Sequence, residues 1–161
     1  MEIPQGGANG VILAQGGRFG GWSLYMKDGK PTYTYNWLGL QRYAVAAPSP
    51  LAAGKATIRY EFAYDGDGRG KGGTGTIFVN GENVATGRIA QIQANFFSAD
   101  EGADVGVDEG TPVTEDYKQQ DNKFTGTIQK VTIDLKEMKA ASAEDEQRVI
   151  HEAHVRKQLA D

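Results

Sequence analysis

The chain contains no cysteine, and this absence removes several kinds of chemistry at once. Disulfide bonds, thiolate metal sites and cysteine nucleophiles are all excluded. No apolar run approaches the roughly 20 residues that a membrane-spanning helix needs. The start of the chain has neither a basic region nor an apolar core, so no secretory signal is expected there. Basic residues are not in excess, since 17 Lys and Arg face 21 Asp and Glu, which argues against a protein that binds nucleic acid by neutralising phosphates.

Glycine is present in excess. The 22 glycines among 161 residues are about twice the usual share of roughly 7%. All of them lie between Gly6 and Gly126. The length fits a single domain, and we therefore expect one turn-rich domain over residues 1–136, followed by a polar tail over residues 137–161.

Two segments of the turn-rich part alternate between apolar and polar residues, which is typical of β-strands. They are residues 31–38 and 55–64. Because successive side chains of a strand point to opposite faces, each segment should place its large residues on one face. The large residues are Tyr33, Tyr35 and Trp37 in the first segment, and Ile58, Tyr60, Phe62 and Tyr64 in the second.

Turn signals separate the predicted strands. Asp28-Gly29 and Asn80-Gly81 are each flanked by strand-like residues and predict tight hairpins. Residues 124–135 give the last predicted strand. No helical pattern separates the strands, so the sequence predicts a mainly β fold, an antiparallel β-sandwich.

The tail predicts a C-terminal α-helix. Ser142 followed by Asp145 resembles a capping box, and the helix is expected to cover residues 143–159. Its apolar stripe is thin, so docking on the sandwich, docking on a partner and a partly frayed, solvated helix all remain open. His151 and His154 share a helix face but have no evident third metal ligand nearby.

Residues 68–73 match the pattern G-x-G-x-x-G. A dinucleotide site requires a helix after the glycines, whereas strand-like residues 74–79 follow them here. The pattern therefore indicates a hairpin loop with positive φ angles.

An acidic span is the main candidate for a metal site. Seven acids occur there without a Lys or Arg: Asp100, Glu101, Asp104, Asp108, Glu109, Glu115 and Asp116. The first five are candidate Ca²⁺ ligands, because glycines let several carboxylates converge on a hard cation. Internal pairing with Arg18, Arg42 or Arg59, and a plain solvated loop, are the two alternatives.

Trp22 adds to the aromatic stripe of Tyr33, Tyr35 and Trp37. Such a set usually forms the core of a sandwich. The alternative is a platform on which sugars stack. In that case loops near Arg18, Trp22, Trp37 and Lys71 would bind the glycan.

Several longer segments carry a family resemblance. They are GVILAQGGRFGGWSLY at 10–25, YNWLGL at 35–40, IRYEF at 58–62, GKGGTG at 70–75, FSADEG at 97–102, PVTEDY at 112–117 and DNKFTG at 121–126. In these segments, and over nearly its whole length, the chain resembles the non-catalytic C-terminal domain of bacterial arylsulfatases. The resemblance implies a jelly-roll-like sandwich of the lectin (concanavalin) or laminin-G kind, packed on a sulfatase catalytic domain.

The catalytic residues of sulfatases are missing. A sulfatase uses a Cys or Ser in C/S-x-P-x-R, converted to formylglycine, and this chain contains no such motif. We therefore expect a non-enzymatic accessory domain that interacts with proteins or with itself. A docking face without its catalytic domain predicts a homo-oligomer. The resemblance also implies that Met1 falls within the first strand of that domain, and the sheet edge left open by this shortened strand predicts self-association too. The alternative is a carbohydrate-binding module for sulfated glycans, with Ca²⁺ as its candidate cofactor.

Overall fold

A computed structural model describes residues 1–66, 68–94 and 101–135. Within these ranges the chain is mainly β and contains no helix, and therefore none that could cross a membrane. The strands are β1 (Glu2–Ile3), β2 (Gly10–Gly17), β3 (Gly20–Lys27), β4 (Lys30–Trp37), β5 (Gln41–Ala46), β6 (Gly54–Lys55), β7 (Ile58–Tyr64), β8 (Lys71–Val79), β9 (Glu82–Gln91) and β10 (Ala103–Val105).

A five-stranded antiparallel sheet has the strand order β10-β2-β3-β4-β5. Strands β2 to β5 form a meander in which each strand turns back on the one before it. Asp28 and Gly29 form the turn between β3 and β4, with φ angles of 51° and 74°. Two positive φ angles match the twist of the flanking strands, and this predicted hairpin is confirmed.

A second, three-stranded antiparallel sheet has the order β7-β8-β9. Asn80 and Gly81 form the turn between β8 and β9, with φ angles of 51° and 89°, so this hairpin is also confirmed. Gly66, Gly68 and Gly70 lie between β7 and β8 and all have positive φ. The hairpin-loop interpretation is therefore confirmed for residues 68–70, whereas Lys71, Gly72 and Gly73 already belong to β8.

The two sheets pack face to face in a sandwich-like arrangement. The Tyr33 ring of β4 stacks on the Tyr60 ring of β7, with centroids 3.6 Å apart and planes 10° apart. Ile77 and Ile89 of the three-stranded sheet are fully buried between the sheets. The alternation predicted for these strands is confirmed, and their aromatic stripe is core.

Different contacts close the two sides of the sandwich. On one side β5 and β9 approach closely: a Cβ on Gly87 would lie 2.8 Å from Val45 Cγ2. On the other side, an apolar cluster includes Ile3, Ile12 and Phe124. A small two-stranded sheet, β1-β6, lies on this side.

The prediction of a strand over residues 124–135 is wrong. Residues 128–135 pair with no other strand of the described chain, and Thr127 makes only an isolated bridge to Glu2. The place beside β2 is taken by β10, which the sequence analysis missed. Alternation reports which side chains share a face, whereas a strand also needs a backbone partner. The predicted helix over residues 143–159, and the tail that contains it, lie outside the described residues.

Candidate functional site

The acidic span folds against the second face of the five-stranded sheet, and Asp108 is its centre. Only 1% of Asp108 is exposed. Its carboxylate accepts a hydrogen bond from the Tyr117 hydroxyl at 2.7 Å and one from the Val113 N–H at 3.4 Å. The side chain of Asn122 accepts from the Asp108 N–H at 2.8 Å and donates to the Asp108 carbonyl at 2.9 Å. These bonds close residues 108–122 into one compact unit.

Burial controls the protonation of this centre. Loss of solvent raises the pKa of Asp108 above its ordinary value, and the hydrogen bond from Tyr117 only partly opposes the effect. Burial also raises the pKa of the Tyr117 phenol. Burial therefore shifts the protonation equilibrium of both groups toward the neutral form. The side chain of Asp108 is closed off from solvent, so it functions in the folding of the span.

A second polar link joins the span to the sheet. The Tyr25 hydroxyl of β3 donates to Asp116 Oδ2 at 2.5 Å, and Lys27 forms an ion pair with the same carboxylate. Burial alone would raise the pKa of Asp116, but the hydrogen bonds from Lys27 and Tyr25 and the lysine charge outweigh it. The pKa of Asp116 is therefore lowered, and its ionised form is held in place.

Glu101 and Asp104 also accept hydrogen bonds from within the span. Glu101 Oε1 accepts from the N–H of Thr111 at 2.8 Å and from its hydroxyl at 2.7 Å. Asp104 accepts from the N–H of Glu109 at 3.0 Å. Most of the span is thus held by hydrogen bonds from backbone and hydroxyl groups.

Of the three arginines predicted to pair with this span, one does so. Arg42 lies 3.7 Å from Glu115 and also donates to the Val113 carbonyl. Arg18 contacts the span through its backbone N–H, which donates to the Thr111 hydroxyl. Arg59 instead pairs with Glu61 on its own strand.

The candidate calcium ligands are not gathered in the described residues. Within residues 1–66, 68–94 and 101–135, no three acidic or histidine side chains are arranged to hold a metal ion. The predicted ligands Glu101, Asp104, Asp108 and Glu109 belong to these ranges, whereas Asp100 lies outside them. Calcium binding stays a prediction. Thermal melting with calcium and with EDTA tests it, because a ligand bound only to the folded state raises the melting temperature.

One end of the five-stranded sheet carries an apolar surface, which we call the turn tip. It consists of Arg18 and Phe19 from the β2–β3 turn and Leu38, Gly39 and Leu40 from the β4–β5 turn. Phe19 is 73% exposed, Leu40 is 74% exposed and Leu38 is 37% exposed. Turns normally carry polar residues, so three large apolar side chains in adjacent turns make the turn tip a candidate contact surface.

The turn tip is held rigidly by one buried amide. Asn36, which is fully buried, donates to the carbonyls of Gly17 and Arg18 at 2.9 Å each. Its side-chain oxygen accepts from the Gly39 N–H at 2.9 Å. Leu38 has a φ of 55°, an unfavourable angle for a residue with a branched side chain. The fold therefore maintains the tip at some cost in strain, which is common at functional positions.

The four predicted glycan-binding residues occupy different environments. Arg18 is exposed in the turn tip. Trp22 and Trp37 are half-buried against the core between the sheets, and the Trp22 indole donates to Gln15. Lys71 is half-buried at the start of β8 in the other sheet. Phe19, Leu38 and Leu40 were missed, although a phenylalanine within the glycine-rich turn of residues 16–21 was an available signal.

An open groove of about 720 Å³ lies beside β10. We call it the edge groove. Its lining includes Val105, Lys123, Phe124, Ile128 and Val131. None of the predicted glycan-binding residues lines it.

No family model, curated protein or solved structure matches this chain.

Proposed function

We propose that this chain is a non-catalytic accessory domain that binds a protein partner through the turn tip. The observation that carries the proposal is the exposure of Phe19 and Leu40, at 73% and 74%, on turns held by Asn36. Because Asn36 holds the backbone of both turns, binding through this tip costs less backbone freedom than binding through an unsupported loop.

The partner is proposed to be a sulfatase-like catalytic domain. This follows from the resemblance of the chain to the C-terminal domain of bacterial arylsulfatases, and it includes the finer expectation of a jelly-roll topology. The lack of a C/S-x-P-x-R motif supports a role without catalysis. An interaction domain of this kind is expected to form a dimer or larger oligomer when its partner is absent.

The test is binding in trans. The full chain would be titrated against a bacterial arylsulfatase catalytic domain expressed without its own C-terminal domain, with binding followed by calorimetry. We expect a complex with the wild-type chain and at least tenfold weaker binding by Phe19→Ser/Leu40→Ser. Val105→Ser is the matched control, because Val105 is a 55% exposed apolar residue outside the tip. Equal binding by all three chains, or no binding by any, contradicts the proposal.

Carbohydrate binding is the second candidate, and the turn tip also favours it. Arg18 and the exposed ring of Phe19 are adjacent, and a guanidinium beside an aromatic ring suits a sulfated sugar, since arginine binds oxyanions and the ring can stack. A glycan array probed with and without calcium tests this candidate. Hits lost in Arg18→Ala would support it, and an array without hits would remove it.

A further inference from the structure

Residues 130–135, which we call the edge segment, have the sequence of a strand but pair with no strand in the part of the chain that the structure describes. The segment contains no bend or turn. No backbone hydrogen bond joins it to any other described residue. Backbone N–H and C=O groups that lie unpaired along a straight, alternating segment can pair with another strand.

The edge segment is attached to the domain at one end and exposed at the other. Val131 packs against the apolar cluster that includes Ile3 and Phe124. Further along, Ile133 is 55% exposed and Leu135 is 89% exposed. With a period of two, these three apolar residues share one face, while Lys130, Thr132 and Asp134 share the other. The apolar face therefore continues beyond the part that other described residues cover.

The order of residues in the edge segment is complementary to itself. In an antiparallel pair centred on Thr132, Lys130 of each copy lies opposite Asp134 of the other, so two opposite-charge pairs form. Val131 of each copy then lies opposite Ile133 of the other, on the apolar face. A two-fold axis through Thr132 therefore forms the charge pairs on one face and the apolar pairs on the other at the same time, as a symmetric dimer requires.

We propose that the edge segment pairs with the edge segment of a second copy of this chain, antiparallel and centred on Thr132. This inference rests on the proposed function, since it names the surface by which the free domain associates. It uses a different surface from the turn tip, so each proposal has its own test.

A single cysteine tests the register. Only the residue on the two-fold axis meets its own copy, and Cα atoms opposite each other in an antiparallel pair lie about 4.5 to 5.5 Å apart, which suits a disulfide. The natural chain has no cysteine, so Thr132→Cys introduces one thiol. We expect most of this variant to become a disulfide-linked dimer under mild oxidation. Gln129→Cys is the control, because its two thiols would lie about 20 Å apart.

Charge reversal tests the pairing independently. Sedimentation equilibrium at chain concentrations from micromolar to tens of micromolar would give the dissociation constant of the dimer. We expect Lys130→Glu to raise it about tenfold, because two like-charge pairs replace two opposite-charge pairs. The double variant Lys130→Glu/Asp134→Lys restores opposite pairs across the axis and should return the constant to within about threefold of wild type. A merely structural defect would not be repaired by the second reversal.

The outcomes separate the two proposals. A wild-type chain that is monomeric at tens of micromolar overturns the pairing, while binding at the turn tip is judged by the titration with the catalytic domain. A dimer that shows no excess cross-linking of Thr132→Cys over Gln129→Cys also overturns it. If Phe19→Ser/Leu40→Ser dissolves that dimer instead, the contact between copies is at the turn tip.

Discussion

The five-stranded sheet is covered on its two faces by different means. One face packs against the three-stranded sheet through aromatic and aliphatic side chains, with Tyr33 stacked on Tyr60. The other face is covered by irregular chain whose contacts are mostly polar, centred on Asp108 and Asn122. The first face is stabilised by the removal of apolar area from water, which is non-directional. The second depends on each buried polar group having its partner.

This difference determines how each face responds to substitution. A smaller residue on the apolar face leaves a cavity, and the cost depends on the volume removed. On the polar face, a substitution is costly when it leaves a buried partner without a hydrogen bond, and mild when the bond can be kept. Substitutions at four residues, taken from the largest expected effect to the smallest, test this contrast.

Ile77→Ala should cause the largest loss. Ile77 is fully buried between the sheets, so the substitution should reduce the free energy of unfolding by about 3 to 4 kcal/mol. Urea denaturation followed by fluorescence measures the effect. Ile133→Ala is the control, because Ile133 is 55% exposed and should change stability by less than about 0.5 kcal/mol. Similar losses in both variants would mean that the space between the sheets is not a close-packed core.

Asn36→Ala should cost about 2 to 3 kcal/mol, because it leaves the carbonyls of Gly17 and Arg18 and the N–H of Gly39 without their present partner. It should also loosen the turn tip. Limited proteolysis at Arg18 would detect that effect separately from global unfolding. A stable variant whose tip resists cleavage as well as wild type would contradict the role given to Asn36.

Asp108→Ala and Asp108→Asn should differ clearly. Alanine leaves the Tyr117 hydroxyl and the Val113 N–H unpaired and should cost about 2 kcal/mol, whereas asparagine keeps an acceptor for both. The raised pKa of Asp108 gives a stabilising contribution that is present below the ordinary Asp pKa of about 4 and is lost as the pH rises through the raised value. Asparagine does not titrate. The stability of Asp108→Asn relative to wild type should therefore increase from pH 4 to pH 7, and a constant difference would contradict the assigned shift.

Asp116→Asn should have the smallest effect, lowering the melting temperature at pH 7 by about 1 to 3 °C, because the Lys27 ion pair is partly exposed. The lowered pKa of Asp116 contributes stability above the ordinary Asp pKa, and that contribution is lost as the pH falls through the lowered value. The variant and wild type should therefore converge in melting temperature below about pH 4. A gap that persists at pH 2 would show that the pairing is not its source.

The apolar face could be predicted from the sequence, and the polar face could not. Alternation placed Tyr33 and Tyr60 in the core correctly, and the dipeptide Asn80-Gly81 located a hairpin, because both signals are local. Asp108 looked like one acid among seven. Its burial depends on Asn122, which is fourteen residues away, and no local pattern reports that partner. The turn tip could be predicted only in part. The sequence places Phe19 in a glycine-rich turn, but it does not show that Asn36 holds that turn.

The chain order of the strands has a consequence for folding kinetics. Strands β2 to β5 pair in sequence order through short turns, so their contacts close small loops and can form early. Strand β10 also pairs with β2, but the whole of the three-stranded sheet lies between these two strands in the sequence. We expect the meander to belong to the folding nucleus and the acidic span to dock after the rate-limiting step. Asp108→Ala removes contacts of this span. It should then mainly accelerate unfolding and leave the refolding rate almost unchanged.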